Sequence, residues 1–286
     1  MRHESNSSAP RPRRGLRILV LSLLPCWAVG LHACFQSHDR AATYANGNTS
    51  STTSASDNVE LCPAPMSALP PSLPAQVRVL PLGDSLTRGA LNGAQDVSGG
   101  YRTPLYRSLE SSFPAKSWTS MGSQSTNPGS APDFARHAGI NAETTAGLAQ
   151  RIDAELTSTP HVALLLSGTN DAYQGKLTVA QSMSNLERVV GRLLEAGALQ
   201  VYVAVPISVH PPTATVALRL APLQRALREK DWGNARVLTV DMSQILAPED
   251  YAPDGIHPGS NGVGYAKMAR AWHESIVAAN PHCIAF

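Results

Sequence analysis

The chain has 286 residues, 43% of them hydrophobic and 15% charged, and a formal net charge of +2. That length suits one large domain or two small ones, and that apolar content excludes a disordered polyelectrolyte. Residues 1–33 hold five of the 23 Lys and Arg and one of the 21 Asp and Glu, so residues 34–286 carry 18 basic and 20 acidic side chains; a nucleic-acid-binding surface needs a basic excess, and none is left.

No run of about 18 uninterrupted apolar residues occurs, which excludes a multi-span membrane protein. Arg11, Arg13, Arg14 and Arg17 precede an apolar stretch over residues 18–31 that contains Pro25. This stretch is short for a bilayer helix and suits the apolar region of an export signal. Residues 1–33 are therefore expected to direct export, to the medium, the periplasm or the cell surface. The stretch closes on Leu31-His32-Ala33-Cys34, which resembles a bacterial lipoprotein cleavage box. Acylation of Cys34, and with it a membrane tether, stays open beside plain secretion.

The four cysteines are Cys26, Cys34, Cys62 and Cys283. If Cys26 leaves with the signal and Cys34 is acylated, Cys62 and Cys283 remain as one pair. In an oxidising compartment they can close a disulfide around the patterned part of the chain, worth on the order of 5 kcal/mol in the chain-entropy model; two free thiols are the alternative. No Cys-x-x-Cys or paired-histidine spacing points to a metal. Residues 34–75 are polar, low in complexity and then proline-rich, and read as a linker that cannot bury enough apolar surface to fold.

From residue 76 to 286 the pattern is that of one domain. Residues 77–82 predict a first strand ending at Gly83, and residues 101–113 a helix with Leu105, Leu109 and Phe113 on one face. A second strand falls near residues 118–121 and a helix over residues 144–156. Residues 161–167 form the most apolar strand candidate, followed at once by Gly168-Thr169-Asn170-Asp171. A helix over residues 179–196 stops at Gly197. Strand four covers residues 201–205, a helix 216–230, strand five 236–240, and the last helix 264–279. Five strands joined by helical crossovers predict a mostly parallel sheet covered on both faces, a three-layer α/β/α sandwich. Its ligand site is expected beyond the carboxyl ends of the strands.

Three motifs fall at such ends. Gly83-Asp84-Ser85-Leu86-Thr87 follows strand one, and a serine on a strand-to-helix turn can project its hydroxyl into the crevice. Asn170 follows strand three and can donate its amide there, or close the strand as an Asx turn. Asp254 and His257, three residues apart beyond strand five, can pair so that the imidazole accepts a serine proton. Each is a weak signal alone, and their conjunction points to a nucleophile, a donor and a base in one cleft.

With these residues in place the chain resembles the SGNH, or GDSL, hydrolase superfamily. Its blocks correspond to Gly83-Asp84-Ser85, a glycine-type block after strand two, Gly168-Thr169-Asn170-Asp171 and Asp254-x-x-His257. Gly99-Gly100-Tyr101-Arg102, His137-Ala138-Gly139 and the closing segment from Asp254 to Trp272 are similar to carbohydrate esterase family 3, the acetylxylan-esterase branch. The resemblance implies a flavodoxin-like fold, no cofactor, and hydrolysis of small acyl esters on a small molecule or polysaccharide. It implies Ser85 as nucleophile, His257 as general base and acid, Asp254 as its orienter, and Ser85, Ala142 and Asn170 as oxyanion donors. Asp84 and Thr169, inside the same blocks, are expected to contact substrate.

Two departures accompany it. Alignment of the second block puts Ala142 where the family has glycine, which serves if its φ is negative; Gly139 is the other candidate donor. The segment from His257 to Tyr265 is about two residues longer than the resemblance implies. A lipid-directed esterase or lysophospholipase, and a non-catalytic carbohydrate-binding protein on the same scaffold, are the rival readings, and the oligomeric state stays open.

Overall fold

A computed structural model describes residues 70–92, 96–126, 129–211 and 213–281. The segment expected to direct export, nearly all of the expected linker, and Cys34, Cys62 and Cys283 lie outside the described residues. In chain order the elements are β1 (Gln76–Gly83), α1 (Ser85–Arg88), α2 (Arg102–Ser112), β2 (Ser117–Ser120), β3 (Gln124–Ser125), β4 (Arg136–Gly139), α3 (Thr145–Glu155), β5 (Val162–Leu166), α4 (Thr169–Gln174), α5 (Val179–Glu195), β6 (Gln200–Val205), α6 (Ala214–Glu229), β7 (Val237–Asp241) and α7 (Val263–Ala279).

The sheet runs β3-β4-β1-β5-β6-β7, with β2 also paired to β1. Beyond the expected five parallel strands it gains β3 and β4. Strands β2 and β4 share one edge of β1, the former beside Gln76 to Val79 and the latter beside Leu82 and Gly83. Only β3 is antiparallel, to β4. The two added strands spell Gln-Ser and Arg-His-Ala-Gly, too short and too polar to show the period-two apolar pattern that identifies a strand.

Side-chain alternation divides the core in two. Val77 and Val79 of β1, Val162, Leu164 and Leu166 of β5, and Tyr202 and Ala204 of β6 pack with Leu105, Leu109, Met268 and Trp272 of α2 and α7. Leu80 and Leu82, Ala163 and Leu165, and Val201, Val203 and Val205 pack on the other face with Leu148, Leu186, Leu193, Leu220 and Leu227 of α3, α5 and α6. All of β5 and β6 is buried, as parallel strands covered by helices on both sides must be. The result is the expected α/β/α sandwich. Helix α5 starts on a reciprocal cap, Thr178 with Gln181, which satisfies two orphan backbone donors. These layers leave the carboxyl ends of β1, β4 and β5 open along one rim.

Candidate active site

At the first of those ends the chain turns sharply. Gly83 has φ +150, and a Cβ there would lie 1.9 Å from the Leu166 carbonyl oxygen, so only glycine lets β1 pass this close to β5 and enter α1. Asp84 caps α1, its Oδ1 accepting from Leu86 N–H at 3.0 Å. This cap folds the Asp84 carboxylate back against the helix start and leaves the next side chain, Ser85, at the rim. Ser85 Oγ lies 2.9 Å from His257 Nε2. His257 Nδ1 lies 2.7 Å from Asp254 Oδ2, and Asp254 Oδ1 accepts from the N–H of Ile256 and of His257 at 2.9 and 3.0 Å.

Burial opposes ionisation of Asp254, but the hydrogen bonds from His257 N–H, the imidazole and Ile256 N–H outweigh it and hold its pKa below the usual carboxylate value. An ionised Asp254 accepts the hydrogen bond of Nδ1–H and keeps the proton on that nitrogen, which leaves Nε2 as acceptor for the serine O–H. The loop that carries the pair is closed by Ala252 N–H on the His257 carbonyl at 2.7 Å and Gly259 N–H on that of Asp250 at 2.7 Å. The longer segment after His257 therefore reaches α7 without withdrawing the imidazole from Ser85.

Opposite this pair the cleft, about 250 Å³, is lined by Asn141, Ala142, Thr169 and Asn170. Ala142 follows β4, not β2 as the sequence alone suggested. Its φ is +58, and it is the one non-glycine residue with positive φ among those described. The condition of a negative φ set for alanine is thus corrected: the turn requires the left-handed conformation, and alanine occupies it at a cost of roughly 1–2 kcal/mol. Neighbours hold it there. Gln174 Nε2 donates to the Ala142 carbonyl at 3.0 Å, and Asp171 accepts from Thr145 N–H at 2.8 Å and Thr145 Oγ1 at 2.6 Å. Arg151 pairs with Glu143 in the same turn.

Gly139, the other candidate donor, has its N–H on His137 Nδ1 at 3.0 Å and does not line the cleft. Its lack of a side chain serves packing, since a Cβ there would fall 2.6 Å from Arg88 N and 2.8 Å from the Asp84 carbonyl oxygen. Burial, reinforced by Arg102, Arg88 and Arg151, lowers the His137 pKa to about 3, so this histidine is neutral and structural.

Asp84 was expected to touch substrate and does not line the cleft. It is buried behind Ser85, where Asn170 Nδ2 donates to its Oδ2 at 3.3 Å. Burial first of all pushes its pKa up to about 7; the Leu86 N–H and the Asn170 amide pull it down, and Glu143 and Asp171 push it up. Thr169 does line the cleft, and its buried Oγ1 has no hydrogen-bond partner among the described residues. Among those residues no group of three or more His, Cys, Asp or Glu is arranged to hold a metal ion.

A serine, an imidazole and a carboxylate in hydrogen-bonded series, facing an asparagine amide across a small cleft, are the parts of a nucleophilic acyl-transfer site. The model of the GDSL-like lipase/acylhydrolase family matches residues 82–264. The chain belongs to that family. As one of these acylhydrolases, it is an ester hydrolase of mixed α/β fold. It is similar to the family 3 carbohydrate esterase of Clostridium thermocellum, with 27% identity over 71% of this chain and 97% of that one, at a TM-score of 0.59. A carbohydrate esterase family 3 structure from Talaromyces cellulolyticus shares the fold at 19% identity, covering 71% and 98%, with a TM-score of 0.57. So does the lipase/acylhydrolase of Enterococcus faecalis, at 19% identity over 71% and 96%, with a TM-score of 0.53. No curated protein matches the chain.

Four residues of this acylhydrolase cleft escaped the sequence reading: Asn92, Asn141, Tyr173 and Ile256. Tyr173 was within reach of it. It stands three positions after Asn170, which on a helix is the same face, and the residue is 56% exposed. Asn92 gave no such signal, because it lies in an irregular loop brought to the rim only by the fold. Arg102 is a fully buried anchor, donating to the carbonyls of Phe134 and Ala135 at 2.9 Å and of Arg88 at 3.1 Å.

Proposed function

We propose that the protein removes small acyl groups, acetyl above all, from hydroxylated alcohols such as sugars, using Ser85, His257 and Asp254. The observation that carries this reading is the unbroken series from Asp254 Oδ2 through the imidazole to Ser85 Oγ, at 2.7 and 2.9 Å. Ser85 Oγ attacks the ester carbonyl as His257 Nε2 takes its proton. The oxyanion is met by the N–H groups of Ser85 and Ala142 and by the Asn170 amide, whose Nδ2 also holds Asp84. His257 returns the proton to the departing alcohol, and water releases the acyl group by the same route. Loss of one oxyanion donor, as in Asn170→Ala, is expected to lower kcat on the order of 100- to 1,000-fold.

A cleft of about 250 Å³ suits a short acyl group and supports acetyl esters over long-chain lipid esters. The likeness to a carbohydrate esterase at 27% identity supports the sugar. Thr169 and the exposed Tyr173 are then the walls met by substrate. The decisive experiment compares acetate released from acetylated xylan with fatty acid released from a lysophospholipid. Ser85→Ala and His257→Ala are expected to abolish both, and a fluorophosphonate is expected to label Ser85. Full hydrolysis by folded Ser85→Ala would overturn the assignment. The reading also places the enzyme outside the cytoplasm, on the strength of the basic and apolar pattern of residues 11–31; N-terminal sequencing of the secreted or membrane fraction tests it.

A further inference from the structure

Two of the oxyanion donors, Ala142 N–H and the Asn170 amide, come from separate segments, one after β4 and the other in the first turn of α4. Neither segment holds its own shape. The turn at Ala142 has φ +58, a conformation that persists only where its surroundings over-determine it. Helix α4 has six residues and no side-chain cap from Gly168, well under the about 12–15 residues at which a helix stands by itself. Resting on the reading of Ser85 as an acyl-transfer nucleophile, we infer that Asp171 is the positioning residue that sets the two donors relative to each other, by tying α4 to the start of α3 through Thr145.

Asp171 follows Asn170 directly, and Thr145 is the third residue after Ala142. Asp171 Oδ1 accepts from Thr145 N–H at 2.8 Å, and Oδ2 accepts from Thr145 Oγ1 at 2.6 Å. A carboxylate that grips the backbone and the hydroxyl of one residue fixes direction as well as distance, which a single bond does not. Two more bonds stiffen the grip. Ser182 Oγ of α5 donates to Oδ2 at 2.5 Å, and Asn185 Nδ2 donates to Thr145 Oγ1 at 3.1 Å. Asp171 and Thr145 are both buried, so water does not compete for these bonds. On the other flank of α4, Asn170 gives one amide hydrogen to Asp84 Oδ2 at 3.3 Å and keeps the second for the cleft.

Asp171 does not line the catalytic cleft; it lines a separate cavity together with Ser182 and Leu223. It therefore reaches the reaction only through its neighbours. Oxyanion donors must converge on one point at about 2.7–3.1 Å, and a misplacement of about 1 Å costs on the order of 100-fold in rate. Asp171→Asn puts an NH₂ donor where Oδ2 now meets two hydroxyl donors, so that side of the tie must open or rearrange. The two donors then drift apart while the walls that bind the ground state stay in place. Such a change lowers kcat and spares KM.

The test measures hydrolysis of p-nitrophenyl acetate, with kcat counted per site labelled by a fluorophosphonate, so that partial unfolding appears as fewer sites and mispositioning as slower ones. Asp171→Asn is expected to lower kcat per site on the order of 100-fold with KM within about twofold. Thr145→Val, which removes one bond of the tie from the other end, is expected to lower it on the order of tenfold, and decides the matter by itself if Asp171→Asn does not fold. Ser182→Ala leaves both Thr145 bonds in place and is expected to keep kcat within about threefold. Combined with Asn170→Ala, the Asp171→Asn loss should be smaller than it is alone, because one of the groups it acts through is already gone. An unchanged kcat in folded Asp171→Asn and Thr145→Val overturns the assignment, as does an equal loss in Ser182→Ala or a fully multiplicative double variant; these failures leave the Ser85 reading standing. A wild-type protein that neither cleaves the ester nor takes the label overturns both.

Discussion

Ala142 offers a direct measure of the strain held at the rim of the cleft. At φ +58 an L side chain costs roughly 1–2 kcal/mol that glycine does not pay. Ala142→Gly removes that cost but gives the unfolded chain more freedom, which takes back roughly 0.4–1 kcal/mol. The net is a stabilisation of about 1 kcal/mol, and for a domain of 150–250 residues that raises Tm by about 2–4 °C. Ala142→Val moves the other way, because a β-branched side chain tolerates the left-handed region less well than alanine. Urea denaturation and calorimetry of the three proteins should therefore rank them Gly above Ala above Val. A glycine variant less stable than the wild type would show that residue 142 does not occupy the left-handed region in solution, and the account of this turn would fall.

Two further outcomes test the surroundings of Ser85. Asp84 has a pKa near 7 in the folded protein against about 3.9 in an unfolded chain. Below pH 4 both states hold the proton; from pH 4 to 7 the unfolded chain releases it first, so stability declines with rising pH and then levels. Asp84→Asn is expected to flatten the pH dependence of ΔG across that window relative to wild type, by a few kcal/mol, and an unaltered slope would refute the buried, protonated carboxyl. Gly139→Ala is expected to cost on the order of 1–3 kcal/mol, since the added methyl meets the backbone of Arg88 and Asp84. Because those residues flank α1, kcat should drop as well; a loss under about 0.5 kcal/mol would contradict the close approach of β4 to α1.

Much of this molecule was legible in one dimension. The apolar runs of β1, β5 and β6, the four-residue spacing in α2 and the alternation of strand and helix candidates declare an α/β sandwich, because a strand buried on both faces and an amphipathic helix each write their period into the chain. Ser85, Asn170, Asp254 and His257 could be picked out as well, since each sits in a short motif at the end of a readable element. Strands β3 and β4 and helices α1 and α4 could not, being too short to carry a period. Nor could the left-handed turn at Ala142, the retreat of Asp84 behind the serine, or the arrival of Asn92 beside the cleft. Those depend on which loops the packing of α2, α3 and α7 brings to one rim. A side chain's local pattern records what its own segment needs, whereas contacts between residues 85 and 257 are made only when the layers close.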